Sequence, residues 1–316
     1  MPPSIPRVGV HLPLGDGLFK AAKRADEIGA RTVQVFVDNP TSWRRRAAPP
    51  KHLGEFRGRL SGLGIDPVAV HAAYLVNLAG PDVAYREASI RILASDMRAA
   101  VGYGATLVNV HTGSHRDTSV EAGIARIVDG IARVLDEAGD DAGSVRLALE
   151  NASGGGHSLG VTIDELARIA ELADAAGIPA NRLGFCLDTA HAWGAGYAID
   201  SPEGVEAWIG EFDDRIGLQR LFQVHLNDSR SDLGDRQDRH EHVGAGRIGQ
   251  RGLGHLLRHP GLQSVPFISE TPGMDVGYDA INIARSKALA RGEALEPLPP
   301  EAFEVSSGGH RSAAPE

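Results

Sequence analysis

The chain has 316 residues, about 42% of them hydrophobic and 23% charged, the proportions of a globular domain long enough to bury one large core. No apolar stretch approaches the roughly 18 to 20 residues needed to cross a bilayer, and the start, Met1 to Pro6, has neither the basic nor the apolar region of a signal peptide. A membrane partner is therefore not expected, and the expected location is the cytoplasm, at the nucleoid if the source is bacterial. The formal net charge of -9 excludes a protein that coats nucleic acid through its overall field. It does not exclude a nucleic-acid enzyme whose positive charge is concentrated at its site.

Along the chain, apolar runs of strand type occur at Val8 to His11, Val33 to Val37, Val68 to His71, Leu107 to His111, Leu147 to Glu150, Gly184 to Asp188, Leu221 to His225 and Pro266 to Glu270. Between them lie segments such as "REASIRILASDMRAAVGYGA" and "TIDELARIAELADAAG", whose apolar residues recur at spacings of three and four. Gly29, Gly104, Gly139 and Gly177 stand at or just past the expected helix ends. Eight strand-helix alternations predict a (β/α)8 TIM barrel over residues 1–294, with its active site at the C-terminal ends of the strands. The longest polar connection, Asn227 to Gln250, is expected to be functional. Residues 295–316, rich in Pro, Glu, Ser and Gly, are expected to form a disordered tail.

Nine potential metal ligands fall mostly at one kind of place, just past an apolar run: His71, His111, Glu150, Asp188, His191, His225, Asp238, His240 and Glu270. Side chains at the ends of buried strands line the rim of a sheet, so residues distant in sequence can converge there. The "DTAH" turn can aim both Asp188 and His191 inward, and Asp238 and His240, two apart, share a face in extended backbone. The remaining histidines, His11, His52, His115, His157, His242, His255, His259 and His310, are read as structural. A single cysteine, Cys186, excludes a disulfide framework and Cys-rich zinc modules, leaving N and O donors. Imidazole and carboxylate suit Zn, Mn or Fe, and a carboxylate can bridge two ions. Ions about 3.5 to 4 Å apart can stabilise both the attacking and leaving oxygens of a phosphoryl displacement and acidify a bound water. The pattern predicts a multinuclear metal hydrolase.

The strings "HAAYLVNL", "NVHTGSH", "LENASG", "CLDTAHAWGAGYAI", "HLNDSRSDLGDRQDRHEHVGAGRIG" and "SET" resemble the endonuclease IV family of apurinic/apyrimidinic (AP) endonucleases, from about Val8 to about Arg285. The resemblance implies a barrel with three divalent ions, Zn2+ first and Mn2+ or Fe2+ as alternatives. His71, His111 and Glu150 would hold one ion. Glu150 would bridge to a second, with Asp188, His225 and Glu270, and His191, Asp238 and His240 would hold the third. The implied reaction is hydrolysis of the phosphodiester 5' to an abasic site in duplex DNA by a trinuclear metal-hydroxide mechanism, leaving a 3'-hydroxyl and a 5'-deoxyribose phosphate. Glu150 or Glu270 would act on the water, and the enzyme would work as a monomer.

For DNA contacts the resemblance implies that Tyr74 and Leu75 insert into the base stack. The triplet Arg44, Arg45 and Arg46 could contact phosphates, although a solvated charge run is its commoner meaning. Thr41 stands where the family usually has an arginine, and Ala245 where it often has glutamate. Two rival readings follow from the same residues. A sugar isomerase or epimerase on a related barrel would need only Glu150, Asp188, His225 and Glu270 around one ion. A non-catalytic, zinc-dependent binder of damaged DNA would use closed four-ligand sites.

Overall fold

The computed structural model of the protein describes residues 5–305. Its first seven strands are β1 (Val8–His11), β2 (Thr32–Val35), β3 (Val68–His71), β4 (Ala105–His111), β5 (Arg146–Glu150), β6 (Leu183–Asp188) and β7 (Leu221–His225). A short antiparallel pair follows, β8 (Asp228–Ser229) with β9 (His240–Glu241), and then β10 (Phe267–Ser269). Strands β1 to β7 pair in parallel in chain order, and β10 closes the barrel between β7 and β1. All eight expected runs are barrel strands, although the second and eighth are shorter than their apolar runs suggest.

The helices are α1 (Leu18–Glu27), α2 (Leu53–Gly62), α3 (Val83–Tyr103), α4 (Val120–Ala138), α5 (Ile163–Ala175), α6 (Thr189–Ala195), α7 (Pro202–Arg215), α8 (Gly249–Arg258) and α9 (Tyr278–Ala290). Local chemistry starts several of them: Asp82, Ser119, Thr162 and Ser201 each accept a hydrogen bond from the backbone N–H three residues on. Such a cap is worth about 1 kcal/mol. At the other ends, Gly29, Gly104, Gly139 and Gly177 all have positive φ, the conformation that releases the chain from a helix without a Cβ clash.

Two apolar layers result. The larger lies between barrel and helices, with Val10, Val33, Val35 and Val108 fully buried beneath residues such as Leu93, Ile127 and Phe212. The smaller contains Ala69, Leu107, Ala148, Cys186 and Ile268. Because side chains alternate along a strand, the residue two positions further on points the same way at a higher level. That places His71 above Ala69, Glu150 above Ala148, Asp188 above Cys186 and Glu270 above Ile268. Apolar residues thus form a floor beneath the charged rim.

The connection from β7 to α8 is structured rather than loose. The buried Asp228 carboxylate accepts backbone N–H groups from Ser229, Gly246, Ile248 and Gly249 at 2.8–3.3 Å. Burial pushes that carboxyl up to about 6, against the opposing pull of those donors. A Cβ on Gly246 would stand 2.4 Å from the Ser229 carbonyl oxygen, so only glycine fits the approach.

The expectation of a disordered tail is corrected for residues 295–305, which pack on the barrel. A 3-10 turn spans Pro300–Glu304, and Ala302 is fully buried. Polar side chains capture its backbone carbonyls: Arg285 donates to Glu296, His242 to Ala302 and Arg230 to Val305. A segment too polar to bury a core is ordered instead by satisfying its backbone. Residues 306–316 lie outside the described residues. Among the described residues, no helix is long and apolar enough to cross a membrane.

Replacing Asp228 with Ala strands several buried amide donors at once, so it should destabilise the protein by about 3 kcal/mol. Chemical denaturation checks this, and a loss under about 1 kcal/mol would contradict the assigned role.

Candidate metal centre

Register brings the strand ends to one level. In the ladder His111 sits opposite Glu150, and Asp188 opposite His225. Glu150 occupies the middle, with Oε2 3.6 Å from Nε2 of both His71 and His111, and Oε1 3.3 Å from Nδ1 of both His191 and His225. His225 Nδ1 is also 3.7 Å from Asp188 Oδ2 and 3.3 Å from Glu270 Oε2. Further along the rim, Asp238 reaches His191 Nε2 at 3.1 Å and His240 Nε2 at 2.9 Å. All nine residues singled out in the sequence therefore stand in one connected constellation. His71, Glu150, Asp188, His191, His225, His240 and Glu270 are buried. His111 and Asp238 form the open side, with 39% and 33% of their side chains exposed.

Local folding aims these groups. Asp188 ends β6 and caps α6: its Oδ1 accepts the His191 N–H at 2.9 Å. Its Oδ2, held by Asn227 Nδ2 at 2.6 Å, faces His225 and His240. One carboxylate thus starts the helix that carries His191 and lines the site. Three imidazoles donate one ring N–H to backbone carbonyls: His71 Nδ1 to Ala72 at 2.7 Å, His191 Nδ1 to Asn151 at 2.9 Å and His240 Nδ1 to Glu270 at 2.9 Å. That holds each ring with its Nε2 turned towards the centre, a usual device around metal-binding histidine.

A ring of amides supports the charged layer, and the sequence reading passed over it. Asn109 Nδ2 donates to Glu150 Oε2, and Gln34 Nε2 donates to Glu270 Oε1 at 2.7 Å. Gln34 Oε1 lies 3.1 Å from His225 Nε2 and 2.8 Å from Gln223 Nε2. Asn227 Oδ1 accepts the Glu270 N–H at 2.7 Å. The available signal was parity: Asn109 and Gln223 each lie two residues before a ligand, and so share its face of the strand. His11, assigned a structural role from sequence, also borders the centre, with Nδ1 3.4 Å from Glu270 Oε1. His242 does serve structure, clasping the segment around Ala302.

Among the described residues, every ion pair of Glu150, Asp188, Asp238 and Glu270 is to a histidine. Burial would raise the Glu150 and Glu270 carboxyls, but the surrounding imidazoles, His225 foremost, hold both well below the usual range. Conversely, burial alone would depress His240, yet Asp238, Asp188 and Glu270 lift it to about 9. Asp188 and Asp238 likewise keep His191 high, and Cys186, Glu270 and Glu150 keep His225 high. Burial, only partly opposed by Glu150, pushes His111 down to about 4.

This donor set fits divalent cations. Two ligand atoms about 2.1 Å from one tetrahedral ion stand about 3.4 Å apart, and the imidazole-carboxylate gaps here run from 2.9 to 3.7 Å. Candidate ligand atoms gather within 4.8 Å of one another in overlapping groups: His71, His111 and Glu150; Glu150, Asp188, His225 and Glu270; and Asp188, His191 and His240. A further group, Glu150, Cys186 and His225, is the floor of the second. Burial raises its thiol to about 11, which makes Cys186 a poor thiolate donor.

The residues expected to touch DNA separate into two kinds. Tyr74 and Leu75 are half-buried at the rim. The Tyr74 ring packs against His71 at 5.5 Å and Phe36 at 5.1 Å between centroids, so its body serves rim packing. Arg44 is exposed. Arg45 turns inward, its Nε 3.2 Å from the buried Asp96 carboxylate.

A family model described as a xylose isomerase-like TIM barrel matches residues 22–295. A protein of Methanoculleus marisnigri named "Probable endonuclease 4" is 42% identical over 283 residues, spanning 90% of this chain and 98% of its own length. The crystal structure of endonuclease IV from Thermus thermophilus matches with a TM-score of 0.77 at 35% identity, over 91% of this chain and all of that one. A D-tagatose 3-epimerase-like protein matches with a TM-score of 0.66 at 19% identity, over 88% of this chain and 94% of its own. At that identity the likeness is one of fold alone.

His191, His225 and His240 are all held above the ordinary imidazole range by their neighbours, so a bound cation must displace protons that the unmetallated site retains to higher pH. Zn2+ affinity should therefore rise with pH towards about 9, where His240 titrates. Calorimetry in buffers of different ionisation enthalpy should detect release of one or more protons per chain. Affinity constant between about pH 6 and 9 with no proton release would contradict the assignment.

Proposed function

The chain belongs to the endonuclease 4 family of xylose isomerase-like TIM barrels, and we propose that it is a DNA-repair nuclease hydrolysing the phosphodiester 5' to abasic sites in duplex DNA, leaving a 3'-hydroxyl and a 5'-deoxyribose phosphate. The observation that carries this reading is the connected cluster of four carboxylates and five imidazoles at the barrel mouth, with two members open to solvent. His71, His111 and Glu150 would hold one divalent cation. Glu150 would be shared with a second, held also by Asp188, His225 and Glu270, while His191, Asp238 and His240 would hold a third. We propose Zn2+, with Mn2+ and Fe2+ accommodated by the same N and O donors. When bound, such ions polarise phosphoryl oxygens and lower the pKa of a coordinated water.

The two glutamates are placed differently. Both Glu150 oxygens are surrounded, Oε2 by Asn109, His71 and His111, and Oε1 by His191 and His225. Glu270 is held through Oε1 by Gln34 and turns Oε2 towards His225, the ion-pair partner of that oxygen among the described residues. Glu150 would therefore be the shared, fixed ligand, and Glu270 the carboxylate placed to orient a water and accept its proton. The apolar floor beneath keeps solvent from reaching these groups from below, which strengthens their electrostatic influence. At the rim, Tyr74 and Leu75 would meet the unstacked lesion, and exposed Arg44 the phosphates.

The sugar isomerase reading explains only Glu150, Asp188, His225 and Glu270. It gives no purpose to Asp238, held by His191 and His240, or to the pair His71 and His111. A purely structural zinc protein would close its sites, whereas His111 and Asp238 stand at an open mouth.

A duplex oligonucleotide carrying one abasic-site analogue tests the reading. Incision 5' to the analogue, leaving a polymerase-extendable 3' end and abolished by chelation, is expected of a monomeric enzyme. Glu270→Gln should lower kcat by about 10²- to 10⁴-fold with a smaller change in KM. No incision by metal-loaded protein, or near-normal turnover by the variant, would overturn the function or the role of Glu270, respectively.

A further inference from the structure

The β2–α2 and β3–α3 loops stand side by side at the barrel mouth, and both carry residues assigned to DNA. A closed circuit of polar contacts joins them. Arg45 Nη1 donates to the carbonyls of Asn39 and Ser42, each at 3.1 Å, which winds residues 39–45 around the guanidinium. Its Nε lies 3.2 Å from Asp96 Oδ1. The other Asp96 oxygen, Oδ2, accepts the Ala73 N–H at 3.3 Å. The circuit closes where the Tyr74 N–H donates to the Pro40 carbonyl at 3.0 Å. Asp96 is 2% exposed, on α3, and the Arg45 side chain is 13% exposed.

From this geometry we propose that Arg45 and Asp96 form a clasp that positions the Tyr74-Leu75 edge for abasic DNA, so that Arg45 governs lesion recognition without touching phosphate. The proposal rests on the abasic-DNA reading. Its physical basis is the guanidinium fork. One rigid planar group donates to two loop carbonyls through Nη1 and stands in ion-pair contact with a carboxylate through Nε, a fixed arrangement that a lysine ammonium on a flexible stem does not reproduce. Asp96 in turn holds the backbone immediately before Tyr74, so a change at either end of the pair moves the same edge. Neither residue belongs to the candidate ligand groups.

A phosphate contact and a positioning clasp give different signatures in binding. Losing a phosphate contact reduces the slope of log affinity against log salt by about 1 and weakens abasic and intact duplexes alike. Losing a clasp leaves that slope in place and removes the preference for the lesion. Binding of wild type, Arg45→Ala, Arg45→Lys, Asp96→Asn and Asp96→Ala, and of the double variant Arg45→Ala/Asp96→Ala, should be measured on abasic-analogue and intact duplexes across salt concentrations. The full-length metal-loaded protein is used, with a hydrolysis-resistant linkage 5' to the analogue to prevent cleavage during the assay.

All single variants should lower the abasic preference, Arg45→Ala and Asp96→Ala by about 10- to 100-fold, with an unchanged salt slope. The double variant should lose no more than the worse single one, because both changes break the same link. Asp96→Asn keeps the volume and an acceptor for Ala73, so it retains a fold even if Asp96→Ala does not. A reduced salt slope for Arg45→Ala, preserved by Arg45→Lys, together with normal preference in Asp96→Asn, would overturn the proposal. Wild-type protein with no abasic preference would instead remove the premise, a distinct result that strikes the functional reading itself.

Discussion

Four carboxylates, three of them buried, share one barrel mouth, and the structure provides imidazoles but no lysine or arginine among their described ion pairs. Desolvated negative charges so close together repel one another and lose their hydration, a combination that is costly unless cations compensate. Imidazolium supplies part of that compensation, which is why His191, His225 and His240 are all raised. Divalent cations would supply more, at the spacings the side chains already hold. The barrel, its register and its amide ring all serve to keep this unfavourable arrangement in place.

Support comes in layers with different physical tasks. The apolar floor of Ala69, Leu107, Ala148, Cys186 and Ile268 excludes water from below. Above it Gln34, Asn109 and Asn227 set the orientation of Glu270, Glu150 and Asp188 through single strong hydrogen bonds. Backbone carbonyls then hold the rings of His71, His191 and His240. Gln34 reaches across from β2 to the neighbouring ends of β7 and β10, since its two amide ends meet His225 and Glu270. Rigid elements therefore aim the side chains of the centre, while the loops at its rim remain more exposed.

Much of this was legible from the residues themselves. Short runs of β-branched residues ending in His, Asp or Glu disclose both the strands and the level at which their last side chains emerge. The glycines at helix ends disclose where each helix releases the chain. The supporting amides were less visible, because Asn and Gln are common on surfaces and only their parity with the ligands marks Asn109 and Gln223 as inward-facing. Arg45 could not be separated from Arg44 and Arg46 by composition, since its partner Asp96 reaches it only through the fold. The segment around Ala302 was misjudged for a related reason: its order comes from carbonyls captured by Arg285, His242 and Arg230, which hydropathy does not register.

The central claim is that this mouth is built for three cations rather than one. An anomalous-difference map from crystals of the zinc-loaded protein, recorded at the zinc edge, tests it most directly. The account predicts three peaks: one among His71, His111 and Glu150, one among Glu150, Asp188, His225 and Glu270, and one among His191, Asp238 and His240. A single peak in the middle group, with the outer histidines unmetallated, would contradict it and favour single-ion chemistry on the same barrel.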